Sequence, residues 1–176
     1  MTMAWYDNAV FYHIYPLGLC GCAHENDGQP TPGAFEKLNA WAEHAARIGC
    51  TAIYIGPLFE SGSHGYDTID YRRVDRRLGT NEEFRDFVAN CHARGQKVIV
   101  DGVFNHCGSF NKWLDRECIY EDAEGYEKGA YISADSPYRT FFRFNEDMWP
   151  YNYHYDGWWG HDTLPKLNYE DSPLLF

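Results

Sequence analysis

The chain has 176 residues and a formal net charge of −11, from 26 acidic against 15 basic side chains. That length suffices for one ordinary domain with a real core, and so acidic a surface repels phosphate backbones and anionic membranes, which excludes nucleic acid as the expected partner. No apolar run approaches the roughly 20 residues of a membrane span, and the start, Met1-Thr2-Met3-Ala4-Trp5-Tyr6-Asp7, has neither the basic region nor the apolar stretch of a secretory signal.

Residues Ala9 to Pro16 form a candidate first strand, and Leu17 to Pro32, rich in Gly, Asp, Asn and Pro, reads as loop. Gly33 to Ile48 reads as a helix: Phe35, Leu38, Ala42, Ala45 and Ile48 recur at three- and four-residue steps, and Gly49 sits where a C-terminal cap belongs. Thr51 to Ile55 is the second strand and Gly56 to Leu78 a long loop. Thr80-Asn81-Glu82-Glu83 is a capping box, in which the Thr80 hydroxyl and the Glu83 carboxylate each take a backbone N–H. It opens a helix to Ala93 with Phe84, Phe87, Val88 and Cys91 on its inner face, ended by Gly95. Lys97 to Asp101 is the third strand, short, β-branched and expected to be fully buried in a parallel sheet. Strand–helix–strand–helix–strand with short crossovers is α/β organisation around a parallel sheet. From Gly102 to Leu167 there is no strand or helix period, and a loop of that length implies structure of its own or a function.

Of the six cysteines, Cys50 and Cys91 fall at core positions. Cys20, Cys22, Cys107 and Cys118 fall in loops, and Cys20-Gly21-Cys22 lacks the two-residue spacer usual at zinc sites, so reduced thiols are expected. If Met1 is the native start, the expected location is the cytoplasm. Aromatic residues make up 18% of the chain and crowd the segment from Tyr120 to Trp159. They suit either a core built from few aliphatics or stacking against flat sugar faces.

Asp101 ends the third strand, and Asn105-His106 follow four residues later. In parallel β/α barrels the chemistry sits at the carboxyl ends of strands, which is where this acid lies. The segment Lys97-Val98-Ile99-Val100-Asp101-Gly102-Val103-Phe104-Asn105-His106 resembles the first signature region of the α-amylase family, glycoside hydrolase family thirteen. Three further segments resemble that family in its own order: Val10 to Pro16 as its opening strand; Thr51 to Ser61 followed by His64 to Tyr71 as its second strand and loop; and Leu164-Pro165-Lys166-Leu167-Asn168 as the short signature closing its domain B. The resemblance implies the N-terminal portion of a TIM (β/α)₈ barrel in residues 1–101, an irregular domain B in 102–167, and the truncated start of the third barrel helix in 168–176. A complete barrel takes about 250 residues, so the chain is expected to be a fragment or one half of an assembly, inactive and unstable as a lone monomer.

The resemblance also assigns roles. The family is retaining, with an Asp nucleophile after the fourth strand and a Glu acid after the fifth. No segment here matches either, so no catalytic acid or nucleophile is expected in the chain. Asp101 orients the site from its strand end, His106 hydrogen-bonds a sugar hydroxyl beside the cleaved bond, and Tyr66 stacks on that same sugar. Asp67 grips hydroxyls of a terminal sugar, as in members that trim short oligosaccharides, and His64 is a further candidate. In calcium-dependent members the residue matching Asn105 is a ligand and an Asp stands where Lys166 is. An ammonium group repels Ca²⁺, so no metal and no cofactor is expected, with Lys166 taking the cation's place as in neopullulanases and cyclomaltodextrinases. The implied activity is hydrolysis, with transglycosylation as a second outcome, of α-linked glucans or malto-oligosaccharides. The implied partners are that substrate and the remaining barrel or a companion chain. The rival reading is a non-catalytic carbohydrate-binding relative, such as the amylase-like ectodomains of transporter subunits.

Overall fold

The computed structural model describes residues 3–120, 122–145 and 155–170. The chain divides into two compact units. The first runs to Glu60 and resumes over Tyr71–Gly102; the second comprises Ser61–Asp70 and the chain from Val103 on. The second-loop segment Ser61–Asp70 thus belongs with the irregular C-terminal part. The expected helix start at Ser172–Phe176 lies outside the described residues.

The first unit is built on three parallel strands, β1 (Phe11–Ile14), β2 (Ala52–Ile55) and β5 (Lys97–Val100), in the order β1-β2-β5. Ile14 pairs with Ile55 and Ile55 with Val100, so the three strands end at one level. Between them run α2 (Ala34–Arg47) and α3 (Asn81–Ala93). Most of their apolar stripes meet the sheet as the periodicity predicts: Leu38, Ala42, Ala45, Ile53, Ile55, Phe87 and Cys91 are fully buried, with Phe35 and Phe84 packed beside Phe87; Ile48, expected to continue the first stripe, is 59% exposed, because α2 ends at Arg47 and Ile48 is its C-cap. Each large side chain buried this way contributes about 1.5–3 kcal/mol. The capping box is present at both of its bonds, Glu83 N–H to Thr80 Oγ1 at 3.2 Å and Thr80 N–H to Glu83 Oε2 at 2.8 Å.

Three features depart from the sequence reading. A five-residue helix, α1 (Pro16–Cys20), stands where loop is predicted, with Pro16 in its first turn. The long loop after β2 contains a two-stranded sheet, β3 (Phe59–Ser61) with β4 (Thr68–Val74). And β5 is half-buried rather than enclosed, Lys97 being exposed and Val98–Val100 intermediate, because β5 is at the end of the three-strand order and, among the described residues, pairs only with β2. The loop before α2 is held by Arg77, whose guanidinium lies flat against the Asp75 carboxylate (2.8 and 2.9 Å) and donates to the carbonyls of Ala23 and His24. Both charged groups are essentially inaccessible.

The second unit is ordered by backbone bonds between segments far apart in sequence. Residues 105–109 run antiparallel to 163–167: Leu167 N–H donates to Asn105 O, Cys107 N–H to Pro165 O and Ser109 N–H to Thr163 O, all at 3.0–3.1 Å. On the other side Gly108 N–H donates to Thr68 O at 2.9 Å. Around this ladder are packed Cys107, Leu114, Ala130, Phe142 and Tyr155, all 3% exposed or less. Short 3₁₀ turns at Arg139–Phe141 and Trp158–Gly160 are its only helical pieces among the described residues.

Candidate active site

Asp101 follows directly on Val100 at the carboxyl end of β5, where its N–H donates to Ile55 O at 3.1 Å. The neighbouring position on β2 is Gly56, and a Cβ there would meet the Asp101 Cβ at 2.1 Å. Only glycine leaves room for the acid at this strand end. Asp101 belongs to the first unit; Tyr66, Asp67 and His106 belong to the second.

Within the second unit the 105–109 ladder carries His106 next to the loop that bears Tyr66. Gly108 sets the spacing, since a Cβ on it would lie 2.5 Å from the Asp67 carbonyl oxygen. A cavity of about 480 Å³ opens here, lined by His64, Tyr66, His106, Trp158, His161, Thr163 and Leu164. This is within the range of small-molecule sites. The structure therefore brings Tyr66, His106 and the further candidate His64 to one hollow. Tyr66 is 41% exposed and offers a ring face and a hydroxyl. His106 is buried, and its imidazole stacks on Trp158 at 5.2 Å and 28°.

Burial pushes the His106 pKa below its ordinary value of 6.5, against the opposing pull of a hydrogen bond to the Tyr66 backbone. At neutral pH the ring is therefore uncharged, with one nitrogen donating and one accepting. Asn105 Nδ2 lies 3.2 Å from His106 Nδ1. His64 accepts the Tyr66 N–H at 3.1 Å and so fixes the Tyr66 backbone.

Asp67 is buried and its carboxylate is engaged by its own loop: Oδ2 accepts the Ser63 hydroxyl at 2.8 Å and Oδ1 the Gly65 N–H at 3.2 Å. It holds the turn that presents His64 and Tyr66 and is not part of the cavity lining. The lining contains no carboxylate among the described residues. His64, His106, His161 and Thr163 bring hydrogen-bonding atoms to the lining and Tyr66 a half-exposed ring, while the Trp158 ring is itself stacked on both His106 and Trp159.

Sequence reasoning missed Trp158, His161, Thr163 and Leu164. They stand beside His106 through the pairing of 163–167 with 105–109, which no periodicity announces. The sequence signal that could have found them is the crowding of aromatics up to Trp159, just before Leu164–Asn168.

Asn105 and Lys166 are both exposed, and Lys166 enters the ladder by its backbone, opposite His106. Lys166 also borders a smaller hollow of about 170 Å³ with Arg143, Asp156, Leu167, Asn168, Tyr169 and Glu170. Among the described residues there is no group of three or more His, Cys, Asp or Glu placed to hold a metal ion. All six cysteines are free thiols. Burial pushes the Cys20 pKa up to about 11 and raises those of Cys22, Cys91 and Cys107, so they are poor nucleophiles.

Residues 25–174 match the family described as "Alpha amylase, catalytic domain", and the chain belongs to that family. The three parallel strands with their helices are the opening part of its TIM barrel. An amylopullulanase of Thermoanaerobacterium saccharolyticum is 38% identical over 138 residues, 77% of this chain and 10% of that protein. A glucan 1,6-alpha-glucosidase of Streptococcus pneumoniae is 29% identical over 99% of this chain and 32% of its own length. Among solved structures, the cyclic alpha-maltosyl-(1→6)-maltose hydrolase of Arthrobacter globiformis, in its ligand-free form, superposes with a TM-score of 0.73 at 28% identity, covering 97% of this chain and 40% of that one. The Nostoc punctiforme debranching enzyme superposes with a TM-score of 0.71 at 27% identity, covering 97% and 37%. The chain thus spans between a tenth and two fifths of these relatives.

Proposed function

We propose that the native protein containing this chain hydrolyses α-glucosidic bonds of starch-derived oligosaccharides, and that this chain supplies one sugar-binding subsite and the strand-end acid Asp101. The observation that carries the reading is the cavity of about 480 Å³ in which His64, His106, His161 and Thr163 offer hydrogen-bonding atoms beside the half-exposed Tyr66 ring. The names of three relatives, an amylopullulanase, a glucan 1,6-alpha-glucosidase and a cyclic alpha-maltosyl-(1→6)-maltose hydrolase, support the same substrate class. In this reading the reaction is retaining and passes through a covalent glycosyl-enzyme, with the two reacting carboxyl groups supplied from outside the second unit's cavity. His106 and Tyr66 hold the sugar, Asp67 positions the loop that carries Tyr66, and Asp101 orients the reacting end. Residues 102–167 act as the family's domain B, and the protein works in the cytoplasm.

The test is incubation of the native protein with maltotriose, isomaltotriose and a cyclodextrin, following new reducing ends and, by proton NMR, the configuration of the first product. Retention of the α-configuration with at least one substrate is expected. Binding of maltotriose by calorimetry without any reducing ends would favour the non-catalytic carbohydrate-binding alternative, and neither binding nor turnover would end the glucan reading.

A further inference from the structure

The Tyr66 main chain is held by two imidazoles. Its N–H donates to His64 Nδ1 at 3.1 Å, and its backbone accepts a hydrogen bond from His106, one that favours the charged form of that ring. Gly65 lies between His64 and Tyr66 with φ 97°, a conformation glycine reaches freely, which lets the chain fold back so that the Tyr66 N–H meets the His64 ring.

The two imidazoles answer acid in opposite ways. A protonated imidazole carries a proton on both nitrogens and accepts nothing. His106 is the donor in its bond to Tyr66, so charging it leaves that bond in place. His64 is the acceptor in its own bond, so its neutral ring carries the proton on Nε2, and charging it sets a second N–H against the Tyr66 N–H. A new partner stands close by, since Asp67 Oδ1 lies 3.7 Å from the same Nδ1. Turning Nδ1–H to that carboxylate gives up the Tyr66 N–H. The titratable groups around His64 are Tyr66 and Asp67 on its own loop, His106 on the 105–109 ladder, which feels His64 as a like charge, and His161 in the cavity wall. Among the described residues no lysine or arginine lines the cavity to oppose a charge on His64.

We propose that His64 is a positioning residue: its uncharged ring fixes Tyr66 at the cavity, and its protonation turns Nδ1–H to Asp67 and releases Tyr66, so that sugar binding weakens in acid. The consequence for sugar rests on the glucan reading above. The experiment compares the native protein with His64→Asn and His64→Gln. Asn places its Oδ1 where Nδ1 stands and accepts an N–H two residues on without titrating, whereas Gln carries its acceptor one bond further out. Maltotriose affinity is measured by calorimetry at about pH 8 and about pH 5, which spans the range in which imidazoles change charge, while NMR follows the Tyr66 amide and the His64 ring.

Wild type should lose about three- to tenfold in affinity on acidification, the worth of one hydrogen bond, with the Tyr66 amide shift following the His64 ring. His64→Asn should match wild type at the higher pH and hold most of that affinity at the lower, and His64→Gln should bind weakly at both. An acid loss in His64→Asn as large as in wild type would assign the effect to His106 or His161 and refute the proposal while the glucan reading stands. A wild-type affinity indifferent to pH, or a wild-type Tyr66 amide blind to the His64 titration, would refute it without any variant. Maltotriose bound at neither pH would overturn the glucan reading, and the Tyr66 amide would still decide whether His64 releases it.

Discussion

Gly108→Ala is the sharpest perturbation of the candidate site, because it adds one carbon and touches no side chain that faces the cavity. That carbon would sit 2.5 Å from the Asp67 carbonyl oxygen and 2.9 Å from its carbon. Real Cβ atoms stay beyond 3.0 Å of such neighbours, so the two segments must part by at least the difference between 2.5 and 3.0 Å. The ladder on the far side resists, since Cys107 and Ser109 are bonded to Pro165 and Thr163. The Gly108–Thr68 bond at 2.9 Å is the one that yields.

Overpacking of this kind costs about 1–3 kcal/mol and the lost hydrogen bond about 0.5–1.5 kcal/mol. The second unit should therefore lose roughly 2–4 kcal/mol of stability. The functional effect follows from the direction of the shift, which moves Tyr66 and its loop away from His106. Half an ångström is the tolerance of a working constellation and a full ångström costs about a hundredfold, so maltotriose affinity should fall roughly tenfold. Titration calorimetry on the native protein and its variant measures it. Wild-type affinity together with a wild-type unfolding midpoint would refute the claim that this backbone contact sets the geometry of the cavity.

Three other outcomes are expected. Since burial holds the His106 pKa below 6.5, the unfolded chain takes up this proton first as pH falls. The stability from the neutral ring is complete above about pH 6.5 and declines from there down through the folded pKa; a His106 NMR titration midpoint at or above 6.5 would contradict the burial argument. Arg77→Met leaves the Asp75 carboxylate, 0% exposed, without its guanidinium and should cost about 3–5 kcal/mol in denaturant unfolding, against which a loss under about 1 kcal/mol would count. Thr80→Ala removes the acceptor of the Glu83 N–H and should cost about 1 kcal/mol, read as faster hydrogen exchange in the first turn of α3.

The parts of the fold legible in the sequence are those whose information is local. The stripe Phe35–Leu38–Ala42–Ala45, the Thr80–Glu83 box and the Val98–Ile99–Val100 run each lie within one element, and α2, α3 and β5 appear where they predict. The five residues of α1 are too few to show a 3.6-residue period. The β4 strand Thr68–Val74 has exposed Arg72 and Arg73 in succession, so it lacks the alternation that marks a half-buried strand. His106 and Tyr66 could be marked by motif, and the strand-end position of Asp101 by the run preceding it. The wall opposite them could not, because Trp158, His161 and Thr163 reach His106 only through bonds between residues more than fifty positions apart. Asp67 shows the opposite limit: a motif marks the position, but the carboxylate is turned into its own loop by Ser63 and Gly65, which only coordinates reveal.

This division bears on how one scaffold can serve differing glucans. In the first unit the side chains are the structure: Leu38, Ile53 and Phe87 are enclosed and cannot change size without cost. Around the cavity of the second unit the main chain carries the order, through the bonds from Asn105, Cys107, Gly108 and Ser109. The backbone bonds of this ladder do not depend on the side chains at 161 and 163, which can be exchanged for others with different hydrogen-bonding groups while the backbone keeps its register, whereas His64 accepts the Tyr66 N–H. Differences in linkage or chain-length preference among relatives should therefore concentrate at positions 161 and 163, with the spacing residues Gly56, Gly108 and Gly157 staying fixed by the contacts their missing Cβ atoms permit.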